Sequence, residues 1–563
     1  MTRHRVSVAM TSPVHEDLHG HLLRPDGQED ICLATYRPST GATRRTALVR
    51  KVITPLPGER EVHGNASITG DYVLRAAAIA HSNGEGLVLC HSHPQGRGWQ
   101  TMSGPDRDAE SSFANLVREI TGQPLVGMTL AGRGSAWSAR HWDRGIGTEV
   151  FYTEAENVRA IGDRLTVSWN DSLVAPPPRQ RSQRRSISSW GQTTHDDLVR
   201  RSVLIVGLGS IGLDIAVRLA ATGVTTVGFM DFDTIEERNL DRLIGVTVTD
   251  AWLKRPKIDA ARRLFLENTT AQSPQLSTWD RSICEAAGLR YALDFDMIIS
   301  CVDRPWPRAV LNALAYTDLI PVIDGGIAID TFPGGDGMRN ATWRSHVIRP
   351  GRSCMSCNGQ LDLGEVAADI EGVLDDPQYV QGQDTGDHRV TGQNVAVLSM
   401  NAAASLLVQY VSFNVAPGGL GEPGPLQYVL STNTLDHLQV ANAPHCPYEN
   451  AEAVGDSRRT LTGRHTKAET DRAHPTPANL AIGIRVGRVI DNAWWWGKQR
   501  LAAFAARRLT PGRLATSGPP GTDGPGPLVG VADNEQHGDR MRVPHDDGCI
   551  RHGDLCATRE TGT

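Results

Sequence analysis

Two α/β domains in tandem are the fold that this sequence predicts, and three observations predict it. The chain has 563 residues, well past the length at which a single hydrophobic core stops growing. From Ser202 to about Tyr448, apolar strand-length runs alternate with helix-period stretches, the pattern of a mainly parallel sheet with crossover helices. Residues 1–155 carry an apolar run of their own, Gly86-Leu-Val-Leu-Cys90, among helical stretches.

In chain order, the first domain ends near residue 155 and a linker follows over 156–184. Its Pro176 to Arg185 stretch, PPPRQRSQRR, has no apolar face. The second domain occupies 185–455. Val203 to Val206 is a buried-strand run, Ile211, Ile215 and Leu219 repeat every four residues, and Val224–Met230, Met297–Val302 and Ile320–Ile323 are further strands. Residues 456–509 read as a helical extension, with Trp494, Trp495 and Trp496 among arginines, and the Gly-, Pro-, Asp- and Arg-rich stretch 510–563 as a disordered tail.

Composition excludes several function classes. The 57 basic and 63 acidic side chains leave a net charge of −6, so no general attraction to nucleic acid or membrane is expected. No run approaches about 18 consecutive apolar residues, and none spans a membrane by this reading. The start, MTRHRVSVAMTSPVHEDLHG, lacks the apolar core of a signal peptide. Nine cysteines are too few for a disulfide scaffold, which points to a reducing, cytoplasmic location.

The sharpest local feature is His91-Ser-His93-Pro94 followed by Ser103-Gly-Pro-Asp106. Residues two apart on a strand face the same side, so His91 and His93 can share one metal, with Asp106 as a third ligand from the next turn. Two imidazoles and a carboxylate leave a position open for water, the arrangement of catalytic zinc. The HSHP and SGPD segments resemble the JAMM (JAB/MPN) metallopeptidases. That resemblance implies an α-β-α, cytidine-deaminase-like domain in which His91, His93 and Asp106 bind Zn²⁺ and Ser103 stabilises the oxyanion. It also implies a general-base glutamate before an upstream strand. Glu29 fits best, and Glu59 and Glu61 are weaker rivals.

In the second domain, Gly207-Leu-Gly209-Ser-Ile-Gly212 follows a strand and opens a helix, a cradle for phosphate. Asp231 and Asp233 end the next strand, where a carboxylate meets ribose. A dinucleotide site would share these features. Asn239, Arg242 and Lys257 suit a triphosphate better, and Asp303, ending Ile298-Ile-Ser-Cys-Val-Asp303, can hold Mg²⁺. Together these segments resemble the E1-like ThiF/MoeB/HesA adenylyltransferases from about Arg185 to Tyr448. The resemblance implies a Rossmann-like adenylation domain that binds ATP with Mg²⁺, in which Asp231 takes ribose and Asn239, Arg242 and Lys257 take phosphates. Arg185 would reach the partner's ATP across a homodimer.

Cys354-Met-Ser-Cys357 can share a structural Zn²⁺ with Cys446, Glu449 or His445 completing the set; a pair of reduced buried thiols is the equal alternative. Ubiquitin-activating members of the family carry a thioester-forming cysteine after this CxxC, but the interval Asn358 to Met400 contains none. Adenylation without a thioester is therefore expected.

The two resemblances share one natural substrate: a ubiquitin-like or sulfur-carrier protein ending in Gly, adenylated at its C-terminus by one domain and released from an (iso)peptide bond by the other. Alternatives are adenylation of a peptide or small-molecule carboxylate, and a catalytically degenerate carrier-binding scaffold.

Overall fold

A computed structural model of the chain describes residues 4–145, 149–332, 337–375, 393–438, 441–459, 461–473 and 478–509. The tail expected at 510–563 lies outside the described residues. One compact unit runs from the N-terminus through Arg500.

The N-terminal region forms a nine-stranded mixed sheet. Its strands are β1 (Arg5–Thr11), β2 (Ile31–Thr40), β3 (Arg44–Ile53), β6 (Gly86–Arg97), β7 (Leu125–Arg133), β8 (Trp137–Arg144), β9 (Val150–Glu154), β10 (Asn157–Ile161) and β11 (Leu165–Trp169). A separate hairpin pairs β4 (Arg60–His63) with β5 (Asn65–Ile68). The spatial order is β11-β10-β1-β3-β2-β6-β7-β8-β9. Alternation along the strands sends Cys32, Ala34, Val88 and Cys90 to one face, against Leu18 and Leu22 of the helix Ser12–Leu22. Ile31, Leu33, Leu87 and Leu89 go to the other, against the helices Gly70–Ser82 and Gly104–Thr121. The strand period of two thus builds an α-β-α sandwich.

The domain boundary differs from expectation. The linker placed at 156–184 begins with β10 and β11, which complete the first sheet. Arg159 is the residue that disguises β10, because its charge is neutralised inside the protein by Asp296 of the second domain at 3.1 Å.

The second sheet runs β14 (Gln275–Trp279), β13 (Thr226–Met230), β12 (Ser202–Val206), β15 (Met297–Ser300), β16 (Val322–Thr331), β17 (Met338–Ile348), β18 (Leu426–Val429), β19 (Thr434–His437). The strands from β14 to β16 are parallel, and β17 to β19 extend the sheet antiparallel. From β12 the chain moves to β13 on one side and later returns to β15 on the other. This reversal opens a crevice at the strands' carboxyl ends, where α/β sheets bind ligands. The helix Ala396–Val415 has the length and hydropathy to cross a membrane, although no continuous apolar run was evident in the sequence. It packs against β16, β17 and the helix Ser210–Thr222.

The two sheets share a core. Ala9, Leu48, Ile161 and Leu165 of the first cluster with Val203 and Val227 of the second and with Leu198 of the helix Gln192–Arg200. Asp296 binds Arg44 at 2.7 Å as well as Arg159, and its other oxygen accepts from the backbone and hydroxyl of Ser202. In the extension, the helices Thr466–Ala473 and Ala478–Leu509 follow the second domain, the latter tied back by Arg488 to Asp259 at 2.8 Å.

Candidate functional site

His91 and His93 lie in the middle of β6, on the same side of the strand. Asp106 sits in the first turn of the helix Gly104–Thr121, where the helix dipole favours a carboxylate. Ser103 caps that helix: its Oγ accepts from the Asp106 N–H at 3.2 Å, and Asp106 accepts from the Ser103 N–H at 2.9 Å. This box aims Asp106 at the histidines. One ligand atom from each of His91, His93 and Asp106 falls within 4.8 Å of the others. Asp106 Oδ2 is 3.6 Å from His91 Nε2 and 3.5 Å from His93 Nε2. Burial opposes the Asp106 charge, but the two histidines hold its carboxyl well below the ordinary range. Asp106, followed by Gln100, raises the pKa of His93, and Glu29 is near enough to push it the same way. Glu29 is half-buried just before β2, whose Ile31 pairs with His91. Of its rivals, Glu59 is held by Arg75 through Nε at 2.8 Å, and Glu61 lies on β4.

The surrounding residues escaped sequence reasoning. Gln100 Oε1 stands 3.3 Å from His93 Nδ1, which directs Nε2 inward. Thr129 Oγ1 is 3.3 Å from His91 Nε2 and accepts from Arg140 Nη1 at 2.9 Å, and Arg140 is paired with buried Glu110. Only Glu110 left a signal, four residues after Asp106 on one helix face.

The second site occupies the crevice. Gly207 turns the chain with φ +88°, and a Cβ there would meet the Cys301 carbonyl oxygen at 2.6 Å. A Cβ on Gly212 would lie 2.1 Å from the Gly207 carbonyl oxygen, whereas one on Gly209 would meet nothing within 4 Å. Gly207 and Gly212 therefore serve the fold, while Gly209 keeps the approach to the helix N-terminus clear. Asp231 accepts from the Leu208 N–H at 2.6 Å and the Asp233 N–H at 2.7 Å, bracing the glycine loop. Burial raises the Asp231 pKa against the pull of Lys257. Lys257 Nζ is 2.7 Å from Asp233 Oδ2, and although burial opposes its charge, Asp231 and Asp233 hold its pKa up. Asp303, exposed after β15, contributes to the same field. Asn239 is buried and accepts from the Glu236 N–H at 3.0 Å. Arg242 donates to the Arg238 carbonyl and to Asp241 at 2.9 Å. Arg185 is exposed on the helix Arg184–Trp190.

The sulfurs of Cys354, Cys357 and Cys446 also converge within 4.8 Å. Backbone N–H groups of Cys357 and Ala443 each reach a sulfur at 3.3 Å, a setting that suits thiolates and thus a metal. Glu449 is engaged by Asn442 and the Gly351 N–H, and His445 is exposed. Burial pushes the thiols of Cys284 and Cys301 up, away from nucleophilic character.

Residues 181–447 match the ThiF family model. The adenylyltransferase and sulfurtransferase UBA4 of Meyerozyma guilliermondii is 27% identical over 148 residues, 26% of this chain and 34% of that protein. The molybdopterin-synthase adenylyltransferase of Escherichia coli is 31% identical over 125 residues, 22% of this chain and 48% of that protein. The NEDD8-activating enzyme E1 catalytic subunit of Schizosaccharomyces pombe is 30% identical over 217 residues, 37% and 44% of the two chains. The chain spans less than half the length of each of these relatives. The parallel sheet, the glycine loop and the ThiF family match all fall on one stretch, residues 181–447, and that stretch is similar to E1-like adenylyltransferases.

Proposed function

We propose that this chain is a bifunctional enzyme acting on a ubiquitin-like or sulfur-carrier protein with a C-terminal Gly. The ThiF-family domain would adenylate the carrier's C-terminus with ATP, and the N-terminal domain would be a JAMM-type zinc peptidase cutting (iso)peptide bonds. The observation that carries the first activity is the convergence of the glycine loop, Asp231, Lys257 and Asp303 on one crevice. The relatives' names, which include adenylyltransferases and a NEDD8-activating subunit, support that substrate class.

In the adenylation step a carboxylate oxygen bonds to the α-phosphorus of ATP as the α–β P–O bond breaks and pyrophosphate leaves. Asp231 would orient the ribose, while Asn239, Arg242 and Lys257 would hold the phosphates. Arg185 would do so from the second subunit of a homodimer. Asp303 would hold Mg²⁺, which supplies charge neutralisation. The raised thiol pKa values of Cys284 and Cys301 favour a reaction that stops at the acyl-adenylate.

In the N-terminal domain, His91, His93 and Asp106 would hold Zn²⁺, which supplies Lewis acidity and lowers the pKa of a water. Glu29 would take the proton from the attacking water at its carboxylate and return it to the leaving amine. Ser103 Oγ accepts one N–H in its cap, leaving its own proton available to an oxyanion. Cys354, Cys357 and Cys446 would hold a second, structural Zn²⁺. These thiolate roles fit a cytoplasmic, reducing setting.

The first test is ATP–pyrophosphate exchange with a Gly-ending carrier as acceptor. Carrier-dependent exchange that disappears in Asp303→Asn is expected, and exchange indifferent to both would sink the proposal. For the second site, zinc content and cleavage of a fusion after Gly-Gly should vanish together in His93→Ala.

A further inference from the structure

The register of β16 and β17 sets Asp324 opposite His346 and Gly326 opposite Arg344. Asp324 and Arg344 therefore emerge on one face of the sheet, two positions apart on neighbouring strands. Asp324 is fully buried. Its Oδ1 accepts from Ser300 Oγ at 2.6 Å, and its Oδ2 has no hydrogen-bond partner among the described residues. Two guanidinium groups face it. Arg308, in the first turn of the helix Pro305–Thr317, places Nε 3.7 Å from Oδ1, and Arg344 places Nη2 3.7 Å from Oδ2. Both separations exceed a hydrogen bond. Arg308 Nε and Arg344 Nε and Nη2 are buried without a partner among the described residues. Gly326 makes room for this arrangement, since a Cβ there would sit 2.9 Å from Arg308 Nη2.

Two cations around one carboxylate leave an excess positive charge in a site mostly withdrawn from water. Buried guanidinium N–H groups without acceptors are costly, and their planar fork matches a carboxylate. The location narrows the choice. Ser300 of β15 pairs both with Asp324 and with Val206 of β12, the strand that leads into the glycine loop. At a strand spacing of roughly 4.8 Å, Asp324 lies about 10 Å from the base of that loop. Asp231 and Asp233, with Lys257, stand on the other side of the loop, after β13.

We propose that Arg308 and Arg344, backed by Asp324, are the seat for the carboxylate of the acyl substrate, holding it beside the nucleotide before adenylation. The seat rests on the adenylation reading above. Its charge logic follows the reaction: the carboxylate loses its negative charge as its oxygen bonds to phosphorus, so the arginines hold the substrate more tightly than the acyl group of the product. The pair would set specificity for a free C-terminus over an amidated one.

The test uses the full chain and a synthetic peptide ending in Gly-Gly, as free acid and as C-terminal amide. Arg308→Gln and Arg344→Gln should each raise the KM of the acid in pyrophosphate exchange on the order of tenfold or more. Affinity for a non-hydrolysable Mg·ATP analogue should stay within about twofold of wild type. Arg344→Lys should recover part of the loss, and the wild-type preference for acid over amide in competition binding should disappear in both Gln variants. Equal binding of acid and amide by the wild type would overturn the seat. So would nucleotide affinity falling in step with peptide affinity, which assigns the arginines to the triphosphate. A wild type that exchanges with no acceptor overturns the adenylation reading instead.

Discussion

The two candidate sites are built in opposite ways. In the N-terminal domain, three candidate ligand atoms stand within 4.8 Å of one another on the middle of a strand and a capped helix start, with hydrogen bonds already fixing Asp106 and His93. In the second domain the charged groups are paired among themselves: Lys257 with Asp233, Arg242 with Asp241. On the proposed reading, a metal in the first would find its ligand atoms already gathered, whereas a triphosphate in the second would have to draw Lys257 away from its partner or share it. Both sites also point away from the shared core. β2 runs from Ile31, beside His91, to Thr40, which bonds Asp456 beyond the second sheet; nine strand steps make about 30 Å. Asp296 lies at the start of β15 and the crevice at its end.

The largest effects should separate the two regions. His93→Ala is expected to abolish zinc binding and peptidase activity while sparing pyrophosphate exchange, and Asp303→Asn to do the reverse, each loss about a hundredfold or more. Zinc analysis and both assays on one preparation check this, and losses that travel together would break the contrast. Next comes the join. Asp296→Ala strands Arg44 and Arg159 as unpaired buried cations, costing roughly 3–5 kcal/mol. Calorimetry should show both domains melting in one transition at lower temperature; two independent transitions would mean that the core is not shared.

A third effect belongs to the N-terminal domain. Burial pushes the His141 pKa down to about 4. The unfolded chain takes up this proton near pH 6.5, so between those values it binds more protons than the folded chain. The stability contribution is present above about pH 6.5 and is lost as pH falls through about 4, roughly 3 kcal/mol at most. Urea unfolding at about pH 7 and about pH 5 should show that loss, diminished in His141→Gln. The smallest effect sharpens the account of the metal site. Ser103→Ala removes a helix cap worth about 1 kcal/mol and should slightly weaken zinc binding. A peptidase loss far beyond the metal loss would give Ser103 a direct part in the reaction.

The sequence alone showed the cluster of His91, His93 and Asp106 and the glycine loop, because both are short-range devices. A strand period of two aligns His91 with His93, Ser103 with Asp106 is a capping box, and Gly207 to Gly212 is one turn into a helix. Glu29, the cluster's candidate base, stands near enough to act on His93. Tertiary structure decided the rest. Thr129 meets His91 through strand register, with Arg140 behind it, Gln100 reaches His93 from the loop after β6, and Arg308 and Arg344 face one carboxylate only because Gly326, opposite Arg344, leaves room for Arg308. The continuation of the first sheet to Trp169 was hidden for the same reason. The charge of Arg159 is tolerable in a strand only once Asp296, distant in sequence, has folded against it, and one-dimensional patterning carries no record of a partner that distant.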